Sequence, residues 1–330
     1  MIRFGIIGLG SIANRFARTV NDMNSGIVRL TAAASRSEGK AKAFAEKYGA
    51  QHYYGSYEEL CADDTTDAVY ICTPNNLHYE NCMTALSHGK HVLCEKPFTT
   101  DASQAEELYR YAREKGLFIM EGLWICQLPL LIKAAEMIRS GAIGKVGYIR
   151  AEYGFTAEGE RLKRKLVSEL GGGALLDIGI YNIGFVKMMY GSDPIEIKTD
   201  VSLNGYGTDS LGTILAKYPG GGTASMTAAI GMKMKTEGMI YGSLGTIRFP
   251  DYQKAERMEV TYYDGRSEEY HIPFRSTGFE YEIEDFCSCV EGKKAESPFY
   301  THAQSIEVMR TLDRAREKWG MRFCFEEAKA

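Results

Sequence analysis

Three short strings near the amino terminus combine side chains and spacings that chemistry can use. The first, Gly8-Leu9-Gly10-Ser11-Ile12-Ala13, has the pattern G-x-G-x-x-A. Gly8 permits a tight turn out of a strand, Gly10 lets the backbone approach a pyrophosphate, and Ala13 lets the following helix pack closely. The helix amino terminus then favours the phosphate charge. Alone, such a string has a purely steric reading. Here a strand ends on it, a helix begins after it and a second strand follows at the spacing a dinucleotide-binding unit needs.

The second string closes that second strand: Ser35-Arg36-Ser37, with Lys40 one helical turn on. An Asp or Glu at this place accepts from the ribose 2′-hydroxyl of NAD. Arg36 and Lys40 would instead pair with a 2′-phosphate, and Ser35 and Ser37 can donate to it. The missing acid favours NADP over NAD, although Glu38 lies beside the two cations, whose alternative reading is ordinary surface charge.

The third string is Cys94-Glu95-Lys96-Pro97-Phe98, which follows a later apolar run, and loops at strand carboxyl ends are where an open parallel sheet collects ligands. Lys96 therefore points toward the cofactor crevice. Upstream, Thr73-Pro74-Asn75-Asn76 ends another apolar run and His78 follows it in the same crevice. His78 reads as a structural hydrogen-bonding histidine rather than a catalyst.

These strings need elements to hold them. Apolar runs at Arg3 to Gly8, Arg29 to Ala34, Ala68 to Cys72, His91 to Cys94 and Leu117 to Glu121 have the length of buried strands. Helical patterns lie between them at Ser11 to Met23, Glu38 to Tyr48, Leu77 to His88 and Ala102 to Lys115. This alternation predicts a doubly wound Rossmann parallel sheet over 1–122. After Gly122 the pattern changes to Gly-rich punctuation and period-two stretches at Glu196 to Leu203, Leu211 to Tyr218, Thr223 to Ile230 and Met258 to Tyr263. They predict a second, α+β domain over 123–330 with a large, mostly antiparallel open sheet. Helices at Glu280 to Glu291 and Ala303 to Trp319 close the chain.

Composition bounds the function classes. The chain has 330 residues, 45% hydrophobic and 25% charged, enough for two cores. A net charge of -4 and an isoelectric point near 6.0 argue against a nucleic-acid partner. The basic stretch Arg161-Leu162-Lys163-Arg164-Lys165 is flanked by Glu158, Glu160 and Glu169 and reads as a solvated loop, with a substrate-facing role as the alternative. No window approaches the roughly 18 apolar residues of a membrane span. The fingerprint begins too soon after Met1 to leave room for a secretory leader, so a cytoplasmic location is expected. The eight cysteines show no C-x-x-C pair, which predicts reduced thiols and no metal site.

The Gly8 to Ala13 turn, T-P-N-N-x-H at Thr73 to His78 and G-K-H-V-L-C-E-K-P at Gly89 to Pro97, in this order, resemble the glucose-fructose oxidoreductase / inositol dehydrogenase (Gfo/Idh/MocA) family. The resemblance continues through Glu121-Gly122-Leu123-Trp124 and Gly171 to Tyr181, so it spans nearly the whole chain. Many members have histidine where this chain has Tyr181; the tyrosine resembles the branch of dimeric dihydrodiol dehydrogenases, glucose-fructose oxidoreductase and NADP-dependent xylose dehydrogenases. Phe155 and Phe279 fall where that branch places aromatics around its substrate. The resemblance implies hydride transfer at a hydroxyl-bearing carbon of a sugar, cyclic alcohol or diol, in a homodimer or homotetramer formed through the open sheet face.

Oxidising an alcohol needs an acid/base at the hydroxyl, and Lys96 and Tyr181 are the candidates. Both have ordinary pKa values of about 10; a nearby cation favours phenolate, and burial favours neutral lysine. Which of the two carries the proton stays open at this level. A helix after the triple glycine would set Asp177 and Tyr181, four apart, on one face. Asp177 then accepts from a substrate hydroxyl or holds Lys96, its alternative being a helix-terminal carboxylate. Trp124, Phe155 and Phe279 are candidates for an apolar substrate wall, with core packing as the alternative. Two other functions compete: a non-catalytic NAD(P)-binding sensor of the same fold, and a reductase of another carbonyl compound such as an anhydro-sugar or a bile-pigment-like molecule. The retained Lys96, Asp177 and Tyr181 argue against the sensor.

Overall fold

Short apolar runs and amphipathic helices alternate through the first part of the chain, and the backbone follows them. The computed structural model describes residues 1–327. Its opening elements are β1 (Ile2–Ile7), α1 (Ser11–Met23), β2 (Val28–Ala34), α2 (Glu38–Tyr48), β3 (His52–Tyr54), α3 (Tyr57–Cys61), β4 (Ala68–Ile71), α4 (His78–Ser87), β5 (His91–Glu95), α5 (Ala102–Lys115) and β6 (Ile119–Gly122). The six strands pair in parallel in the order β3-β2-β1-β4-β5-β6. That order reverses between β1 and β4, and the crevice at their carboxyl ends is the place for a ligand. Phe4, Ile6, Val69, Ile71 and Leu93 are fully buried, each contributing about 1.5–3 kcal/mol of transfer free energy. The three-residue β3 and five-residue α3 were not expected, because neither is long enough to show a period.

The chain continues through α6 (Pro129–Arg139), β7 (Val146–Phe155), α7 (Gly159–Leu166), a π turn (Leu175–Gly179) and α8 (Ile180–Tyr190). Seven strands follow: β8 (Glu196–Leu203), β9 (Asp209–Lys217), β10 (Thr223–Ile230), β11 (Gly238–Gly242), β12 (Gly245–Phe249), β13 (Arg257–Tyr262) and β14 (Ser267–His271). Helices α9 (Glu280–Glu291), α10 (His302–Trp319) and α11 (Cys324–Glu327) end it. The second sheet has the order β14-β13-β12-β11-β7-β10-β9-β8, antiparallel except for the β7/β10 pair. Ala224, Met226 and Ala228 face inward with Gly212, Ile214 and Ala216, and α8 packs on β7 and β10. The opposite face carries Tyr148, Arg150, Leu215, Tyr241 and Arg248, half-buried or exposed.

Two expectations need correction. The basic stretch is not a loop: α7 turns Leu162 and Leu166 onto Ala174, Ile178, Ala228 and Ile230, which leaves Arg161, Lys163 and Arg164 in solvent. The compact units are also not the contiguous 1–122 and 123–330. One comprises Met1–Trp124 with Arg275–Ile306, the other Ile125–Phe274 with the chain from Glu307. Aromatic packing recruits 275–306 to the first unit: Phe286 of α9 lies 5.1 Å from Phe4 and 5.2 Å from Phe118, and His302 stacks 4.0 Å from Tyr109. Among the described residues no helix is long and apolar enough to cross a membrane.

Candidate active site

The turn after β1 is built around two glycines with different needs. Gly8 has φ +92°, and a Cβ there would lie 2.8 Å from the Cys72 carbonyl carbon and oxygen and from the Thr73 nitrogen at the end of β4. A Cβ on Gly10 would meet nothing within 4 Å, so the space in front of this residue is open. Gly10 begins α1 without a side-chain cap, and the first turn of α1 has no acidic residue. Its first N–H groups are thus oriented for an anion. Ser11 and Ile12 are exposed beside them and Ala13 is fully buried beneath.

At the end of β2, the Ser37 N–H donates to Ser35 Oγ at 3.3 Å and the Ser35 N–H to the Tyr54 carbonyl at 3.2 Å. Arg36 and Lys40 are exposed, and Arg36 lies near enough to Tyr57 to pull its pKa down against burial, which raises it. Glu38, also exposed, opens α2. After β4, Thr73 is buried and its Oγ1 accepts from Asn81 Nδ2 at 3.0 Å. Pro74 and Asn75 lie half-buried, and Asn76 Oδ1 is buried without a hydrogen-bond partner among the described residues. An orphaned polar atom, an open glycine and an uncapped helix start fit a bound dinucleotide.

His78 bridges two loops: Nδ1 is 2.8 Å from the Pro97 carbonyl and Nε2 is 2.9 Å from the Thr73 carbonyl. Burial pulls its pKa below the usual histidine value, against the two carbonyls. Beside Lys96, the Glu95 carboxyl accepts from the Tyr70 hydroxyl, and burial raises its pKa while Lys96 and Arg15 oppose the rise. The Phe98 N–H donates to Glu121 Oε1 at 3.0 Å, and Ser305 Oγ donates to Oε2 at 2.6 Å. Burial pushes the Glu121 pKa up to about 7. Glu282, on α9, is fully buried and neither of its oxygens has a hydrogen-bond partner among the described residues. Burial and Glu95 hold its pKa well above the ordinary carboxyl range.

Trp124 and Phe279 come together, 5.4 Å apart and edge to face, with the Arg15 guanidinium 4.6 Å and 4.2 Å from their ring centres. Arg15 also donates to the Thr277 carbonyl. Both rings are buried. Phe155 lies in the other unit.

That unit holds Asp177 and Tyr181. Gly173 has φ +112°, and a Cβ on it would collide with Asp209 Oδ1. Asp209 is fully buried; its Oδ2 accepts from the Leu175 N–H at 2.7 Å, and burial pushes its pKa up to about 6. This carboxyl holds the start of the π turn, which carries Asp177 and runs straight into α8 with Tyr181 in its first turn. The segment is therefore helical, but entered through a wider turn than the i, i+4 argument assumed. Lys165 of α7 donates to Asp177 Oδ1 at 2.8 Å. Tyr181 is buried with its ring centre 6.1 Å from Tyr153, which lies 6.3 Å from Phe155, making an aromatic row. Asp209 and Tyr153 were not singled out in sequence, and Lys165 and Glu121 were named only within longer strings, the basic stretch and E-G-L-W, without a role of their own.

Residues 2–123 match the GFO_IDH_MocA oxidoreductase family with its NAD-binding Rossmann fold, and residues 131–248 match the GFO/IDH/MocA C-terminal domain. Scyllo-inositol 2-dehydrogenase (NADP(+)) IolU of Bacillus subtilis is 33% identical, with 99% of this chain and 100% of that protein aligned. Trans-1,2-dihydrobenzene-1,2-diol dehydrogenase of Xenopus tropicalis is 31% identical over 97% of this chain and 99% of its own length. Among solved structures, KijD10, a 3-ketoreductase from Actinomadura kijaniata in complex with TDP-benzene and NADP, superposes with a TM-score of 0.81 at 30% identity, covering 96% of each chain. Matched in both its nucleotide-binding and its carboxy-terminal parts, the chain belongs to the Gfo/Idh/MocA oxidoreductase family.

Proposed function

We propose that the chain is an NADP-dependent dehydrogenase or reductase acting on a CH–OH group, or the matching carbonyl, of a sugar, cyclic polyol or trans-dihydrodiol. The observation that carries this reading is Lys96 at the carboxyl end of β5, on the same sheet edge as the Gly8–Gly10 turn. Arg36 and Lys40, exposed at the end of β2 where an NAD-binding chain places an acid, support the 2′-phosphate. The relatives' own cofactor and their cyclic-alcohol and keto substrates point the same way.

When bound, NADP supplies the nicotinamide that takes or gives the hydride. Lys96 is the acid/base at that end, taking the hydroxyl proton in oxidation and returning one to the carbonyl oxygen in reduction. Tyr181 is the second candidate for that proton. Asp177, oriented by Lys165, accepts from a neighbouring substrate hydroxyl, and the Tyr153–Phe155 row offers an apolar wall to a ring. The protein works in the cytoplasm, consistent with eight free cysteines. It assembles as a homodimer or homotetramer through the open face of the eight-stranded sheet, where Tyr148 and Tyr241 stack and Leu215 is 53% exposed.

The test is a panel of sugars, inositols and dihydrodiols, with the matching ketones, run with NADP and NAD in parallel. Turnover with NADP at a rate well above NAD is expected. Tight NADP binding with silence across the panel would replace this reading with the sensor. Light scattering showing a monomer at micromolar concentration would remove the assembly.

A further inference from the structure

The loop that carries Lys96 is pinned through a single peptide group, the one joining Pro97 to Phe98. The Pro97 carbonyl lies 2.8 Å from His78 Nδ1, and the Phe98 N–H donates at 3.0 Å to Glu121 Oε1. Glu121, the third residue of the adjacent strand β6, is 1% exposed, and its second oxygen accepts from Ser305 at 2.6 Å. A carboxylate is an expensive group to bury, and this one is retained where both oxygens have work: one holds the Lys96 loop, the other holds the start of α10. We propose that Glu121 is a positioning residue for Lys96, acting through the Phe98 N–H and through its own charge. This proposal rests on the reading of Lys96 as the acid/base.

The charge reaches further than the hydrogen bond. Burial raises the Glu121 pKa to about 7 against the hydrogen bonds from Ser305, the Phe98 N–H and Tyr300 and, after them, the charge of Lys96. The groups facing it are Cys94 and Lys96 from β5 and its loop, Tyr109 from α5, and Tyr300 and Ser305 around the start of α10. His302, also on α10, is turned onto Tyr109 and the Ile119 carbonyl. Ionised Glu121 favours the ammonium form of Lys96, and protonation of Glu121 removes that bias.

Glu121→Ala leaves the buried Phe98 N–H without its acceptor. Glu121→Gln keeps an acceptor for it and a donor for Ser305 but removes the charge. The experiment measures kcat, KM, NADP affinity and the pH profile of kcat for both variants, beside Lys96→Met, on the substrate found by the panel. Glu121→Ala is expected to lose on the order of 100-fold in kcat with NADP affinity near wild type. Glu121→Gln is expected to recover most of that loss while the limb of the profile near pH 7 disappears. If Glu121→Ala does not fold, the Gln variant and Ser305→Ala, which releases only the second oxygen, decide by their pH profiles. Wild-type kcat and profile in the Glu121 variants, with Lys96→Met inactive, would overturn the proposal alone. Equal losses in NADP affinity and kcat would also overturn it, by marking a structural role. An active Lys96→Met variant would instead overturn the reading of Lys96 itself.

Discussion

The two units hold their candidate chemistry in different ways. In the first, the groups sit where parallel strands end, and backbone geometry places them: Gly8 and Gly10 after β1, Arg36 after β2, Lys96 after β5. In the second, Asp177 and Tyr181 ride a helical segment whose start is held by a buried carboxyl from a strand 34 residues further on and whose acid is engaged by a lysine from another helix. The glycines express the contrast. Gly10 is needed for space left open, whereas Gly173 is needed because Asp209 already fills the space. At strand ends each group is placed by the strand it follows; a helix in the interior needs long-range side chains to fix its register.

The first way to sharpen the comparison is to remove the chemistry from the first unit and leave its binding intact. Lys96→Met is expected to lower turnover on the order of 1,000-fold or more, with NADP affinity by fluorescence titration unchanged. Near-normal rates would move the chemistry to Tyr181.

The second exchanges the glycines. Gly173→Ala is expected to lose about 2–4 kcal/mol of stability, from its φ and the collision with Asp209, as read by denaturant unfolding. Gly10→Ala should keep wild-type stability and lose NADP affinity about tenfold or more. Equal effects on stability would erase the distinction between the two sites.

The third uses pH. Asp209 has its folded pKa raised from the ordinary 3.8 to about 6, so the folded state prefers the protonated form. Its contribution is fully present below pH 3.8 and is lost as pH rises through about 6, up to about 3 kcal/mol in all. Glu121 and Glu282 act with the same sign. Wild type should therefore gain stability from these groups at pH 5 relative to pH 8, and Asp209→Asn should flatten that difference. A variant with the wild-type slope would show that the carboxyl's burial has no thermodynamic consequence.

The smallest effect falls at the cofactor's far end. Arg36→Ala is expected to weaken NADP about tenfold and leave NAD unchanged, since only the phosphate meets the guanidinium. A parallel loss for both nucleotides would assign Arg36 to the adenosine rather than the phosphate.

Much of the first unit was legible because its signals are local. Helices α1, α2 and α5 run over the residues their periodicity predicted, and the strands alternate with them as crossover units require. Helix α8 was not legible as an element in its own right: nearly every residue from Ile180 to Lys187 is buried, so no polar face marks a 3.6-residue period. α7 was misread because four of its eight residues are basic; only the packing of Leu162 and Leu166 shows it as a helix. Arg15 between Trp124 and Phe279 could not be read either, since the three residues are distant in sequence.

By itself the sequence determined the doubly wound parallel sheet, the glycine turn after β1, the cations after β2 and the lysine after β5. Each follows from the order of strands and helices and from which residue stands at a strand end. Only the tertiary structure decided that Glu121 receives the Phe98 N–H, that Lys165 meets Asp177, that Asp209 lies under Leu175, and that residues 275–306 return to the first unit. Those are contacts between separate elements, and they exist because burial leaves each polar group to find a partner wherever the packed chain brings one.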